Sequence, residues 1–311
     1  MPQKCLELEA TSYWGYRKLG LVMKIAIVTD STAYLSPAQI AGLPIRIVTT
    51  PIILDGDTYN EGVDITPQEF WDKLKTAKEF PHTSQPRLGD VLAIHEQLKN
   101  EGYDTVINIY LSATISGINS TISAQAKQIE DQHVIVYDSQ ITVALMGEMV
   151  LVAGKMAAAG KSVDEILATL DDLRATTGEY FIVNDLQHLV RGGRLSSAAG
   201  FVGSMLRIRP LLTFNEEHKI VVAEKVRTAA RASARIEELF GKAMADVDYP
   251  VKAWVIDSGA PEEAAKWQAK LQQDYPQINL GRSYLGPAIT THIGPGALAL
   301  AWMKDWDAEQ K

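Results

Sequence analysis

Met23-Lys24-Ile25-Ala26-Ile27-Val28-Thr29-Asp30-Ser31-Thr32 carries the first sign of an α/β architecture. Its short apolar run reads as a buried first strand over 24–29, closed by small polar residues. Residues 44–54 follow as an extended, β-branched run ending in the turn Asp55-Gly56-Asp57. Helical patterns then alternate with strands. Residues 66–75 read as a helix with Thr66 as N-cap and Pro67 at its first position. Helices are also expected at 88–100 and 116–129, with strands at 105–110 and 133–137. A mostly buried helix at 141–158 and another at 163–174 complete the first half. Such alternation implies βαβ crossovers and a mostly parallel sheet. In sheets of that kind ligands sit beyond the carboxyl ends of strands.

The pattern restarts after Thr176-Thr177-Gly178. Strands are expected at 179–184, 251–257 and 277–285, a hairpin at 209–225 around residues 215–218, and helices at 195–206, 229–244, 262–273 and 297–304. A chain of 311 residues is long enough to split its core, so two domains are expected. The expectation is a two-domain α/β protein: a disordered extension over 1–22, an N-terminal α/β domain over 23–177, and a smaller C-terminal α/β domain over 178–311.

Composition narrows the function. The net charge of −8 argues against nucleic acid and anionic membranes as partners. The single cysteine, Cys5, excludes an intramolecular disulfide framework and a cysteine zinc site, and suits a reducing, cytoplasmic setting. Residues 1–22 have no signal-peptide core, and no apolar run reaches the roughly 20 residues that stable membrane insertion needs. The six histidines form no H-x-x-x-H or H-x-H pair, so no metal is expected. Gly154…Gly160-Lys161-Ser162 has five intervening residues where a phosphate loop has four, and it follows a helix. Gly294-Pro295-Gly296 lies too near the C-terminus for a dinucleotide site.

Five polar segments remain. Asp30-Ser31-Thr32 reads chiefly as a cap. Thr83, in His82-Thr83-Ser84-Gln85-Pro86, can donate to an anion. Ser116, in Ser112-Ala113-Thr114-Ile115-Ser116-Gly117, stands at a helix start, where hydroxyls and free N–H groups bind carboxylate or phosphate. Arg191 and Arg194 flank Gly192-Gly193 as a local cationic pair suited to an oxyanion. His292 lies in a glycine- and proline-rich loop, 286–296, rigid enough to hold an imidazole in place.

Taken in order and spacing, Ile27–Thr32, Thr83–Pro86, 111–117, Tyr137-Asp138-Ser139, 189–196 and 286–298 resemble the DegV family of bacterial fatty-acid-binding proteins. The resemblance runs from Met23 to about Trp302. It implies a long-chain fatty acid in an apolar tunnel between two α/β domains. Its carboxylate would be held by residues matching Thr83, Ser116 and His292. Arg191 and Arg194 would lie near the head group or dock a partner. It further implies no catalysis by this chain and no cofactor: a separate fatty acid kinase phosphorylates the bound carboxylate. Two departures, Arg87 and Ser116-Gly117-Ile118-Asn119, bear on entrance charge and pocket width. The segment 197–206 is a candidate wall for the tail. The rival reading is an acyl hydrolase or transferase built on Ser116 and His292.

Overall fold

The computed structural model describes residues 23–129, 131–196 and 209–310. Before Gly178 the strands are β1 (Ile25–Asp30), β2 (Ile45–Val48), β3 (Pro51–Leu54), β4 (Asp57–Asn60), β5 (His82–Thr83), β6 (Thr105–Tyr110) and β7 (His133–Asp138). Among them run α1 (Pro37–Ile40), α2 (Pro67–Leu74), α3 (Leu88–Asn100), α4 (Ile118–Ala126), α5 (Val143–Ala158) and α6 (Val163–Ala175). From Gly178 onward come β8 (Gly178–Ile182), α7 (Gln187–Arg191), β9 (Arg209–Phe214), β10 (Ile220–Val226), α8 (Ala229–Met244), β11 (Val251–Asp257), α9 (Pro261–Asp274), β12 (Asn279–Tyr284), α10 (Pro287–Ile293), β13 (Leu298–Lys304) and α11 (Trp306–Glu309).

The first half builds the expected parallel sheet, ordered β2-β1-β6-β7. Every residue of β1 and β6 is buried, as befits central strands covered on both faces. The extended run at 44–54 is two strands, not one. It breaks at Thr49-Thr50, so that β2 joins the parallel sheet and β3 joins a small antiparallel sheet, β4-β3-β5. Thr66 caps α2 in a full capping box with Glu69, and Pro67 occupies its first turn. Gly154 lies inside α5, where a Cβ would fall 2.6 Å from Ile45 Cδ1. Its glycine serves close helix–sheet packing, not a phosphate loop.

The second half forms a six-stranded sheet, β10-β9-β8-β13-β11-β12, antiparallel except for the β11–β12 pair. The hairpin of β9 and β10 is as expected. Residues 297–304 are not: the expected last helix is β13, a central strand between β8 and β11. Alternation explains it. Ala299, Ala301 and Met303 face the core shared with the parallel sheet. Leu300 and Trp302 face a second core with α8 and α9. A strand buried on both faces is apolar throughout, and its alanines imitate a helix. The expected loop at 286–296 is also partly helical. Pro287 is the first residue of α10, and Gly294 (φ +77°) ends it. Most of the helix expected at 195–206, including the tail wall at 197–206, lies outside the described residues. Leu195 bridges Ile220.

The long buried helix α5 has 13 of its 16 residues buried and packs against both β1 and β13. Its Glu148 carboxylate is paired with Lys252 at 2.7 Å. No helix among the described residues is long and apolar enough to cross a membrane.

Candidate functional site

A cavity of about 330 Å³ lies where the two sheets face each other. Its inner wall is mainly apolar: Val143 and Leu145 from α5, Phe181 from β8, Ala299 and Ala301 from β13, and Ile289 from α10. Strand alternation supplies this wall, because Phe181 and Ala299 are register partners and share one face. Val143 holds φ at +59°, a costly conformation for a β-branched residue, at the point where α5 opens toward the cavity.

The polar groups gather at the rim. Ser84, Gln85 and Gly117 line the cavity and are exposed, so they mark its mouth. Gln85 Oε1 accepts from Thr121 Oγ1 at 3.1 Å, joining the 83–86 segment to α4. Thr83 is fixed by β5, which pairs with Ile52 of β3. Its Oγ1 lies 2.8 Å from His292 Nε2. His292 sits on the last turn of α10, and its ring packs on Gly192, where a Cβ would fall 2.5 Å from Nδ1. The first glycine of the Arg-Gly-Gly-Arg segment is therefore room for the imidazole. That Nδ1 is buried and has no hydrogen-bond partner among the described residues. Burial above all, helped by the nearby positive groups of Arg194, His188 and His82, pushes His292 down to about 4. It is neutral near pH 7.

Ser116 lines the same cavity, and its Oγ accepts from the Ile118 N–H at 3.3 Å. Arg194 also reaches the cavity. Its Nε donates to Ile115 O at 3.1 Å and its Nη1 donates to Gly192 O. Its partners among the described residues are these carbonyls and no carboxylate, and burial lowers its pKa. The structure thus brings Thr83, Ser116, Arg194 and His292 to one place. Arg191 is elsewhere: it is exposed, stacks on Phe80 at 4.7 Å, and lines a separate groove with His188. Asp30 is the expected cap, accepting from Thr32 N at 2.9 Å and from Leu111 N at 3.3 Å.

Three contributors carry no sequence motif. Thr50 lines the cavity with a buried Oγ1 that has no hydrogen-bond partner among the described residues. Glu179 lines it with a carboxyl that burial pushes up to about 7. Glu61 anchors α10 from the other half of the chain. Its Oε1 accepts from Ala288 N at 2.8 Å and Tyr34 OH at 3.1 Å, and its Oε2 accepts from Ser31 Oγ at 2.6 Å. Burial holds Glu61 at about 7 as well.

The arrangement suits a carboxylate held by hydroxyls and a guanidinium, with an apolar chain behind it. Among the described residues, Nε2 of His292 is engaged with Thr83, not Ser116, and no acidic side chain bonds its Nδ1, where a nucleophilic triad would need both contacts. No cluster of three or more metal-ligating side chains occurs among the described residues.

Comparison with known proteins agrees with this architecture. A family model described as "Uncharacterised protein, DegV family" matches residues 24–305. A DegV domain-containing protein of Listeria innocua is 40% identical over 279 residues, covering 90% of this chain and 98% of that protein. The crystal structure of DegV from Bacillus subtilis, described as a fatty acid binding protein, superposes with a TM-score of 0.84 at 37% identity, covering 91% of this chain and 100% of that one. A fatty acid binding DegV family protein from Streptococcus agalactiae gives a TM-score of 0.85 at 35% identity, covering 91% and 99%. With its parallel sheet flanked by helices and its second α/β region, the chain belongs to the DegV family.

Proposed function

We propose that this protein binds a long-chain fatty acid in the cavity between its sheets and presents the carboxyl group to a separate kinase for acyl-phosphate formation. The observation that carries the reading is the cavity's polarity: hydroxyls, Arg194 and His292 collect beside an exposed rim, and apolar walls lie behind them. The fatty acid binding described for the Bacillus and Streptococcus relatives supports it. Burying an acyl chain is worth about 0.8 kcal/mol per methylene, less the cost of ordering it. A buried carboxylate must be hydrogen-bonded or paired. Ser116 and Thr83 supply hydroxyls, and Arg194 supplies charge that no acidic side chain among the described residues pairs with. In the Nε2–H tautomer His292 donates to Thr83 Oγ1, which leaves the Thr83 hydroxyl proton for the ligand.

In this reading Arg191, outside the cavity, belongs to the surface that docks the kinase. Residues 23–177 and 178–311 act as two α/β units closing on the lipid, in the cytoplasm, without metal or other cofactor and without catalysis of their own. The test is titration of delipidated protein with palmitate. Saturable uptake is expected, weakened about tenfold by Arg194→Gln, the scale of one charge-assisted hydrogen bond. No uptake overturns the proposal. Turnover of an acyl ester, lost in Ser116→Ala, would establish the hydrolase instead.

A further inference from the structure

Glu179 stands apart from the head-group cluster. It is the second residue of β8, register partner of Ala301, and it lies on the cavity wall in line with Phe181. The head-group residues gather beyond the other end of β8, where Asn184 Nδ2 donates to Pro295 O at 3.0 Å and leads to Arg194 and α10. At the strand rise, Glu179 and Ile182 are about 10 Å apart along the strand. The carboxyl is therefore set deep along the acyl path.

Among the described residues, only one of its oxygens accepts a hydrogen bond. Oε1 accepts from the Phe214 N–H at 2.8 Å and is 3.0 Å from Thr213 Oγ1. Oε2 has no hydrogen-bond partner among the described residues. A plain alkyl chain lying against it would leave a desolvated acceptor unmatched, which is unfavourable. A hydroxyl on the chain would donate to it.

We infer that Glu179 is a second polar station in the acyl cavity, and that it selects fatty acids bearing a hydroxyl group partway along the chain. The inference rests on the fatty-acid reading and specifies its ligand class: the carboxylate at the rim and a mid-chain O–H on Glu179 Oε2. One acyl length would then be read at two points, and only a hydroxyl at the matching carbon would satisfy both.

The test uses delipidated full-length protein, stearate, and hydroxystearates with the hydroxyl at successive mid-chain carbons. One positional isomer is expected to bind roughly tenfold more tightly than stearate, the scale of a hydrogen bond to an ionisable group. In Glu179→Leu that preference, read as the ratio of hydroxystearate to stearate affinity within the variant, should vanish or reverse. Should that variant fail to fold, Glu179→Gln decides. It keeps an acceptor for the Phe214 N–H but replaces the other oxygen with an amide, so the preference should fall at least threefold. If the wild type binds no hydroxystearate more tightly than stearate, or if both variants keep the wild-type preference, the inference is overturned. Binding of neither stearate nor any hydroxystearate would instead overturn the fatty-acid reading itself.

Discussion

The two faces of the six-stranded sheet make opposite use of the same strands. On one face Leu300 and Trp302 of β13 and Ile182 of β8 meet α8 and α9 in a filled core. Trp302 lies 5.1 Å from Phe240 and 6.1 Å from Tyr180 by ring centroids, and it covers Gly178, where no Cβ would fit. On the other face the neighbouring residues are Ala299, Ala301 and Glu179, and they line a cavity. Strand alternation thus separates stability from binding residue by residue. Leu300 and Trp302 of β13 fill one face; Ala299 and Ala301 of the same strand leave the other hollow beside Phe181.

The largest effect should come from breaking the filled face. Trp302→Ala should cost about 3–5 kcal/mol, the usual range for removing a buried aromatic. Denaturant unfolding would show a lowered midpoint with little change in slope. A loss below about 1 kcal/mol would mean that this face is not the stabilising one.

The hollow face should answer differently. Ala301→Leu places new methyl groups in open volume, so stability should change by less than about 1.5 kcal/mol. Palmitate affinity should fall by at least tenfold, because the side chain occupies the acyl path. Calorimetric titration beside a melting curve separates the two effects. A variant that melted like Trp302→Ala, or bound palmitate as the wild type does, would erase the contrast between the faces.

The same contrast governs what was legible in the sequence. The parallel sheet is legible because β1 and β6 are short apolar runs, buried along their whole length, that alternate with helical patterns. β13 is not, because its two faces are both apolar and its alanines mark a cavity that only the assembled sheets create. At the site, Thr83, Ser116, Arg194 and His292 were readable as polar groups in loops that follow strands. Their association was not: Thr83 and His292 are 209 residues apart. Segment 286–296 departs from the loop its composition suggests because Pro287 and Gly294, signs of irregular chain, are the start and stop of α10. Glu61, Thr50 and Glu179 carried no signal at all. A lone carboxyl or hydroxyl acquires meaning only from its surroundings. For Glu61 those include Ala288, 227 residues away.

The smallest effect is a pH dependence that belongs to the hollow face. Burial raises Glu179 to about 7 from an ordinary value of 4.5. Between those values the folded protein binds more protons than the unfolded chain, so this group makes stability fall as pH rises from about 4.5 to 7. Glu61 acts in the same direction. His292, lowered to about 4 from 6.5, acts oppositely and weakens the fold as pH falls through that window. Glu179→Gln leaves the other two in place, so the difference in unfolding free energy between variant and wild type isolates the one carboxyl. That difference should move in favour of the variant by about 3 kcal/mol from pH 4.5 to 7.5, and it should be nearly flat above. Denaturant melts at four or five pH values suffice to see it. A difference independent of pH would place Glu179 in contact with water instead of the cavity. The hollow face would then have no buried acid with which to meet a hydroxylated chain.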